Sequence, residues 1–247
     1  MTNNSFTSFT SFTLLSYNMD CSSKGTNHEK ILKIIEITKE TNASVILLQA
    51  VNMTTLSILK SKLVDYNTIT NQKSSNSVMQ VIFLNTNNCQ LIEEYCYDMP
   101  TLEEKEILGC KMEFNNKTYD ILNVHLEDND EDYRKKQIEV LYEISEENTS
   151  IISGEFNIYH INEPASLSLM NYTELIDPWI TNGCNTILRD TSYKDDKWYR
   201  TSRILYFKKY IKYKNGDDSD YTYYKEDLKR VFMFFNMWVY ESKSEKN

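Results

Sequence analysis

The chain has 247 residues, a net charge of −9, 40% hydrophobic residues and five cysteines. This length fits one large domain or two small ones, and a core of that size needs no disulfide or metal for stability. The acidic balance argues against broad, non-specific binding of nucleic acid, which basic surfaces drive by releasing counterions. The odd number of cysteines, with no Cys-x-x-Cys pair among them, argues against a disulfide framework or a zinc site.

The first half of the chain alternates between strand and helix patterns. A β-type run at 13–17 is followed by a helical pattern at 27–41, for which Thr26 has the position of a capping-box residue. The continuous apolar run at 44–48 is typical of a strand that is buried on both faces. Leucines at helical spacing then predict a second helix around 56–63.

Strand patterns dominate the rest of the chain. Asn115 and Asn116 stand between two of them and predict a hairpin turn. A third helical pattern covers 131–147, and a polar run at 215–220 predicts a loop. The predicted strands of this part are 78–84, 91–97, 107–114, 118–124, 150–153, 203–213 and 231–240.

The domain organisation follows from the absence of a linker rich in Pro, Gly or Ser. We expect one α/β domain at 11–241, between a flexible tail at 1–10 and a charged tail at 242–247. The first ten residues contain no Lys or Arg and precede no long apolar run, so we expect no secretory signal and no membrane span. These features predict an intracellular protein, cytoplasmic or nuclear.

Four predicted strands end in polar residues, and these segments follow one another in a characteristic order. They are Leu15–Asn18, Ile46–Val51, Asn123–Glu127 and Ile152–Asn157. Their series resembles the strand-Asn, strand-Gln-Glu, strand-His-Leu-Glu and strand-Gly-Asp-x-Asn motifs of the endonuclease/exonuclease/phosphatase superfamily. The resemblance covers roughly residues 13 to 240, which is nearly the whole chain.

Within that superfamily, the chain is most similar to the 5′-tyrosyl-DNA phosphodiesterase group. The resemblance implies a four-layer αββα sandwich, in which two mixed β-sheets are flanked by helices. It also implies hydrolysis of phosphodiesters with a divalent ion. The segments that carry it are Tyr17–Asp20, Arg134–Gln137, Ile176–Trp179, Asp190–Thr191, Arg200–Ile204 and Phe235–Trp238.

Several positions that the family uses for catalysis carry other residues in this chain. Ala50 stands for the metal-binding Glu, and a methyl group cannot bind Mg²⁺. Glu155 stands for the Asp of Gly-Asp-x-Asn and places its charge about 1.5 Å farther out. Ser202 replaces another Asp, while Asn236 and Met237 replace an Asp-His pair. Methionine can neither transfer a proton nor donate a hydrogen bond.

Other residues of the implied site are retained. They are Asn18, His125, Glu155 and Asn157, of which Asn18, His125 and Asn157 are the candidates for binding phosphate. We predict no metal site and no cofactor; Mg²⁺, held by Glu155 and Asp20, is expected only if activity is retained. The alternative is that each retained residue only caps a strand or satisfies a neighbour, which we favour for His125 taken alone.

Two of the late motifs allow a second alignment. Ser219–Tyr221 can be read as the Ser-Asp-His motif, and Leu205 can be read as the replaced acid instead of Ser202. The histidine is lost in either alignment. The conclusion that the catalytic set is substituted therefore holds for both.

Three functions are compatible with these substitutions. The first, which we favour, is a catalytically impaired protein that acts by binding a protein or a phosphate-containing ligand. The second is a Mg²⁺-dependent phosphodiesterase with compensating ligands, and the third is a structural protein that forms assemblies. We expect a protein partner, no membrane, and only weak contact with nucleic acid.

Overall fold

The fold is described from a computed structural model. The structure describes residues 12–21, 26–71, 78–102, 105–145, 150–160, 162–172, 174–177, 192–194, 197–199, 202–207, 228–234 and 237–242. The tail predicted at 1–10 and the loop predicted at 215–220 lie outside these residues. Of the tail predicted at 242–247, only Ser242 is described, and it is the last residue of strand β14. None of the helices in the described part is long and apolar enough to cross a membrane.

The described residues contain four helices: α1 His28–Thr41, α2 Met53–Lys62, α3 Glu131–Ser145 and α4 Pro164–Asn171. Helix α1 begins one residue later than a Thr26 cap requires, because the side chain of Asn27 accepts the hydrogen bond from the Lys30 amide. It ends at Asn42, whose φ of 47° is the left-handed conformation of a helix C-cap.

Twelve of the strands form two mixed sheets. The first sheet has the order β13-β14-β1-β2-β4-β3 and the second has the order β5-β6-β7-β8-β12-β9. Among the described strands, each sheet contains one parallel pair, β1 with β2 and β7 with β8, and the other pairs are antiparallel. The first sheet consists of β1 Phe12–Asn18, β2 Val45–Val51, β3 Tyr66–Thr70, β4 Met79–Asn85, β13 Leu228–Phe234 and β14 Met237–Ser242.

The second sheet faces the first and carries the later motifs. It consists of β5 Gln90–Asp98, β6 Glu106–Phe114, β7 Lys117–His125, β8 Ser150–Glu155, β9 Leu175–Ile176 and β12 Ser202–Phe207. Strands β10 Ser192–Lys194 and β11 Lys197–Tyr199 form a separate antiparallel pair.

Three apolar clusters define the layers. One lies between the sheets and includes Leu14, Leu47, Ile121 and Ile151 from their facing sides. The second joins the outer face of the first sheet to α1 and α2, and the third joins the outer face of the second sheet to α3 and α4. The predicted αββα sandwich is therefore confirmed.

The sequence-based elements agree with the structure except at a few places. The hairpin at Asn115 and Asn116 is confirmed, since their φ values of 51° and 59° are those of a tight β-hairpin turn. The single strand predicted at 231–240 is wrong, because this range belongs to two strands, β13 and β14, which pair antiparallel. Helix α4 and the strands β3, β9, β10 and β11 are not among the predicted elements.

Candidate functional site

The two parallel pairs bring the motif residues to one end of the sandwich. In the first sheet, Asn18 at the end of β1 is in register with Gln49 of β2. In the second sheet, His125 at the end of β7 is in register with Glu155 at the end of β8. Glu155 is also paired with Ser202, the first residue of β12. Side chains that lie far apart in sequence therefore meet where these strands end.

The backbone near these strand ends is left-handed at three residues, a conformation that Asp and Asn tolerate but that is costly for alanine. The φ angles are 53° at Asp20, 51° at Ala50 and 52° at Asn157. Ala50 lies in an irregularity of β2, where Leu48 pairs with Val81 but Val51 pairs with Met79. Such bulges re-aim a side chain, and backbone strain of this kind collects at functional sites. The strained geometry is present at residue 50 although its side chain is only a methyl group.

Gly154 permits the close approach of β7 to β8 beside Glu155. Its φ of 149° is a conformation that L residues rarely adopt. A Cβ at this position would lie 2.0 Å from the carbonyl oxygen of Val124. The Gly-Glu step of the motif therefore requires glycine for steric reasons, independently of any chemistry.

The carboxylate of Glu155 connects the two sheets. Its Oε2 accepts hydrogen bonds from Ser202 Oγ at 3.0 Å and from Asn18 Nδ2 at 3.4 Å. Glu155 is 6% exposed and Ser202 is 4% exposed, so the carboxylate is buried between these donors. Asn18 is also held from its other side, because its Oδ1 accepts the amide of Asp20 at 3.0 Å.

Asn157, the last residue of the fourth motif, is held by the protein itself. Its Nδ2 donates to the carbonyl oxygen of Leu126 at 2.9 Å, and Tyr159 Oη donates to its Oδ1 at 3.5 Å. The hydroxyl of Tyr159 also donates to Asp128 Oδ1 at 2.6 Å. Loss of water on burial is the main cause that raises the pKa of Tyr159, followed by its bond to Asp128, so this tyrosine stays protonated.

His125 is half-buried at the end of β7. Removal from water, supported by the positive charge of Lys105, lowers its pKa to about 3 against the opposing effects of Asp128 and Asp20. The imidazole is therefore neutral near pH 7. It offers a hydrogen bond to a ligand but no positive charge.

A buried network behind the site was not found from the sequence. Arg134 Nη1 donates to the carbonyl oxygens of Glu127 and Asp128, and its Nη2 contacts Glu163 Oε2 at 3.2 Å. Gln137 Oε1 accepts the Glu127 amide at 2.8 Å. These bonds fix the segments that follow β7 and β8. The Arg-x-x-Gln spacing on α3 is visible in the sequence and indicates Arg134 and Gln137. No sequence pattern indicates that Glu163 is the partner of Arg134.

Two further motif residues join the sheets in the core instead of entering the cleft. Asn123 Nδ2 donates to the carbonyl oxygens of Leu48 and Val81, each at 3.0 Å. Its Oδ1 accepts from Gln49 Nε2 at 2.8 Å. Both side chains are fully buried. The Gln and Asn of the second and third motifs therefore set the spacing between the sheets.

The structure describes only some residues of the late motifs. Ser202 faces Glu155, whereas Leu205 is buried beside Ile152 in the apolar layer under α3 and α4, which favours Ser202 as the position at the cleft. Met237 begins β14, one residue before Trp238, which pairs with Ser16 of β1. This register brings the backbone of Met237 to the end of β1 that carries Asn18. Asn236, Asp190–Thr191 and Ser219–Tyr221 lie outside the described residues.

The described side chains at the site do not make a ligand set for a magnesium ion. Mg²⁺ takes carboxylate oxygens and waters in octahedral geometry, but Ala50 is a buried methyl and the amide of Asn18 faces Glu155. Over the described residues, no group of three His, Cys, Asp or Glu side chains is placed to hold a metal ion.

Solved structures share this arrangement of layers and strands. TDP2 from D. rerio in complex with a single-strand DNA product is 15% identical, with a TM-score of 0.75 over 94% of this chain and 98% of that one. The chain has the endonuclease/exonuclease/phosphatase fold. Truncated Caenorhabditis elegans TDP2 is 14% identical, with a TM-score of 0.68 over 94% of this chain and 96% of that one.

A more distant structure has the same fold with a different named activity. A mannosyl-6-phosphatase from Bacteroides thetaiotaomicron is 13% identical, with a TM-score of 0.64 over 79% of this chain and 85% of that one. No protein-family model and no curated protein matches the sequence. The resemblance to the superfamily, and to TDP2 within it, is thus confirmed for the fold.

Proposed function

We propose that this protein is a catalytically impaired member of the fold, which acts by binding a protein or a phosphate-containing ligand. One observation carries the proposal: residue 50, which stands for the metal-binding Glu of the resembled family, carries only the methyl of Ala50 at a strand end with a strained backbone. The residue has the strained φ of 51° and is 3% exposed. Backbone strain of this kind clusters at functional sites, and at residue 50 the side chain offers neither a metal ligand nor a proton-transfer group.

The remaining polar groups support the same proposal. A general base must reach its substrate, and an ion must find several oxygen ligands. The Glu155 carboxylate instead accepts bonds from Ser202 and Asn18. The neutral His125 supplies no charge to a transition state. The groups that remain are suited to recognition rather than to hydrolysis.

The test is hydrolysis of a 5′-tyrosyl oligonucleotide and of simple phosphodiesters with Mg²⁺ or Mn²⁺. The proposal predicts no turnover above that of a Glu155→Gln variant prepared in parallel. Metal-dependent turnover by the wild type that disappears in Glu155→Gln would refute it. A thermal melt gives a second readout, since Mg²⁺ stabilises only a protein that binds it; we expect no shift.

An active phosphodiesterase is the second candidate. It is favoured by the convergence of Asn18, His125 and Glu155 at one end of the sandwich. D. rerio TDP2, which has this fold, forms a complex with a single-strand DNA product. In this chain, activity requires Asp20 and Glu155 to take over the role of the missing carboxylate, and the same assay decides between the two candidates.

A further inference from the structure

Strand β5 is an open edge of the second sheet. Among the strands that the structure describes, it pairs with β6 alone, and seven of its nine residues are exposed. Strand β3, at an edge of the first sheet, has five residues, of which one is exposed. A long, exposed edge strand presents a row of backbone N–H and C=O groups, to which an extended segment of another chain can add as a further strand.

The charges on β5 are all negative. Glu93, Glu94 and Asp98 are exposed, and the strand contains no Lys or Arg. Lys111 on β6 is in register with Glu93, but the residues in register with the other two acids carry no positive charge. Opposite charges on neighbouring strands stabilise their pairing, and like charges oppose it. A second copy of β5 would therefore bring acid against acid, whereas a strand that carries Lys or Arg is complementary to this edge.

Two tyrosines form a fixed aromatic surface on the outer face of β5. Tyr95 lies over Gly109 of β6, where a Cβ would be 2.1 Å from Tyr95 Cε2. The hydroxyl of Tyr95 donates to Asp120 Oδ1 at 3.1 Å. Tyr97, which is 40% exposed, packs against Tyr95 with the ring centroids 5.1 Å apart. Tyrosines that are already ordered lose little conformational freedom on binding, and they are enriched at protein interfaces.

A bulge limits where an added strand can pair with β5. The register shifts between Leu91 and Glu93, and Ile92 is the extra residue, 50% exposed. A bulge interrupts the ladder and bends the strand. The pairing is regular from Glu93 to Asp98, which gives a straight edge about 20 Å long.

The two faces of this edge differ in chemistry. Side chains alternate between the faces of a strand. Glu94 is in register with Cys110, which belongs to the core between the sheets, so Glu94 and Asp98 lie on the inner side of β5. Tyr95 and Tyr97 lie on the outer side. The complementary strand therefore alternates basic and apolar residues.

We propose that the segment Glu93–Asp98 of β5 is the docking edge for an extended, basic segment of a protein partner, which adds to the second sheet as a further strand. Its Lys or Arg side chains pair with Glu94 and Asp98, and its apolar side chains pack against Tyr97. This inference rests on the proposed function for the expectation of a protein partner, and it names the surface and the chemistry of that partner. Strand β6 separates β5 from β7, so docking does not require an occupied cleft.

The experiment measures the binding of three labelled peptides by fluorescence anisotropy. The first alternates Lys and Val, and the second alternates Glu and Val at the same length. The third is the Lys-Val peptide with N-methylated backbone amides, which keeps the charge but cannot donate the hydrogen bonds of a strand. The ionic strength is held at about 0.15 M, where charges farther apart than about 8 Å are largely screened.

Two double variants separate the edge from the net charge of the protein. Glu94→Lys with Asp98→Lys reverses the charge of the edge. Glu36→Lys with Glu40→Lys makes the same change in net charge at two exposed residues of α1, which packs on the other sheet. The second double variant is the matched control.

We expect the wild type and the control to bind the Lys-Val peptide at least about tenfold more tightly than the Glu-Val peptide. The β5 variant should reverse this preference, and N-methylation should weaken binding to the wild type at least about tenfold. Glu94→Gln with Asp98→Asn should reduce the preference and decides the test if the reversed variant does not fold. Bound Lys-Val peptide should also slow hydrogen exchange of the β5 amides but not of those in α1.

The inference is overturned if the wild type binds the two charged peptides equally, or if the control loses the preference as the β5 variant does. Undiminished binding of the N-methylated peptide would also overturn it, because attraction between charges without strand addition then explains the binding. A wild-type dimer that protects the β5 amides would assign the edge to a second copy instead. Phosphodiester hydrolysis by the wild type is a separate outcome, since it refutes the proposed function whatever the peptides give.

Discussion

Asn123→Ala tests how the two sheets are held at the spacing that the site needs. The Asn123 side chain makes three buried hydrogen bonds, to the carbonyl oxygens of Leu48 and Val81 and with Gln49 Nε2, at 3.0, 3.0 and 2.8 Å. Each bond contributes about 1 kcal/mol net, and groups left unsatisfied in the core cost more. We therefore expect the variant to lose about 3 kcal/mol of unfolding free energy.

The assay is urea-induced unfolding followed by circular dichroism. The midpoint should fall while the dependence on urea concentration stays the same, which marks a change in stability alone. Asn67→Ala is the matched control, because Asn67 is exposed on β3 and its truncation should change stability by less than about 0.5 kcal/mol. A loss below about 1 kcal/mol in Asn123→Ala would show that the sheets are not held by this contact.

Three other predictions concern the turn, the glycines and the histidine. Asn115→Val should destabilise by about 1 to 2 kcal/mol in the same assay, because a β-branched residue is strained at a φ of 51°. Gly154→Ala should cost more than Gly109→Ala, since the new Cβ meets the Val124 backbone in one case and the side-chain ring of Tyr95 in the other. His125→Gln should lose less stability than the wild type between pH 7 and pH 4. The reason is that the pKa of His125 is about 6.5 in the unfolded chain and about 3 in the folded protein. Its contribution to the free energy of unfolding is complete above about pH 6.5 and is lost as the pH falls toward about 3. The loss is at most about 1.4 kcal/mol per pH unit.

Matched comparisons also define what would contradict these predictions. Equal melting temperatures for Gly154→Ala and Gly109→Ala would refute the close contact of β7 with β8. Parallel pH profiles for the wild type and His125→Gln would mean that His125 titrates alike in the folded and unfolded chains. A stable Asn115→Val protein would refute the turn geometry.

The strand ends and the hairpin could be predicted from sequence because their signals are local. The continuous apolar run before Gln49 and the pair Asn115-Asn116 each specify one structure. Strand β3 gave no such signal, since only Ile69 of its five residues is buried. Helix α4 has eight residues, and Glu163 at its N-cap makes no side-chain capping bond, so Pro164 at the first helical position is a marker of its start without a capping side chain beside it.

The contacts within the site could not be predicted, because they join residues far apart in sequence. Glu155 and Asn18 are separated by 137 residues, and Arg134 and Glu163 by 29. The motif series placed Gln49 and Asn123 among site segments, but it could not show that their side chains turn into the core. Conversely, the substitution of Ala50 was visible in sequence, whereas its strained backbone was not.

The most direct test of the central claim is a single-turnover measurement, with the protein in excess over a 5′-tyrosyl oligonucleotide in the presence of Mg²⁺. Excess protein removes any limit from product release and reports the chemical step alone. We predict that the substrate is hydrolysed no faster with the protein than in the protein-free control. Mg²⁺-dependent release of tyrosine from the 5′ phosphate, lost in Glu155→Gln, would contradict the account.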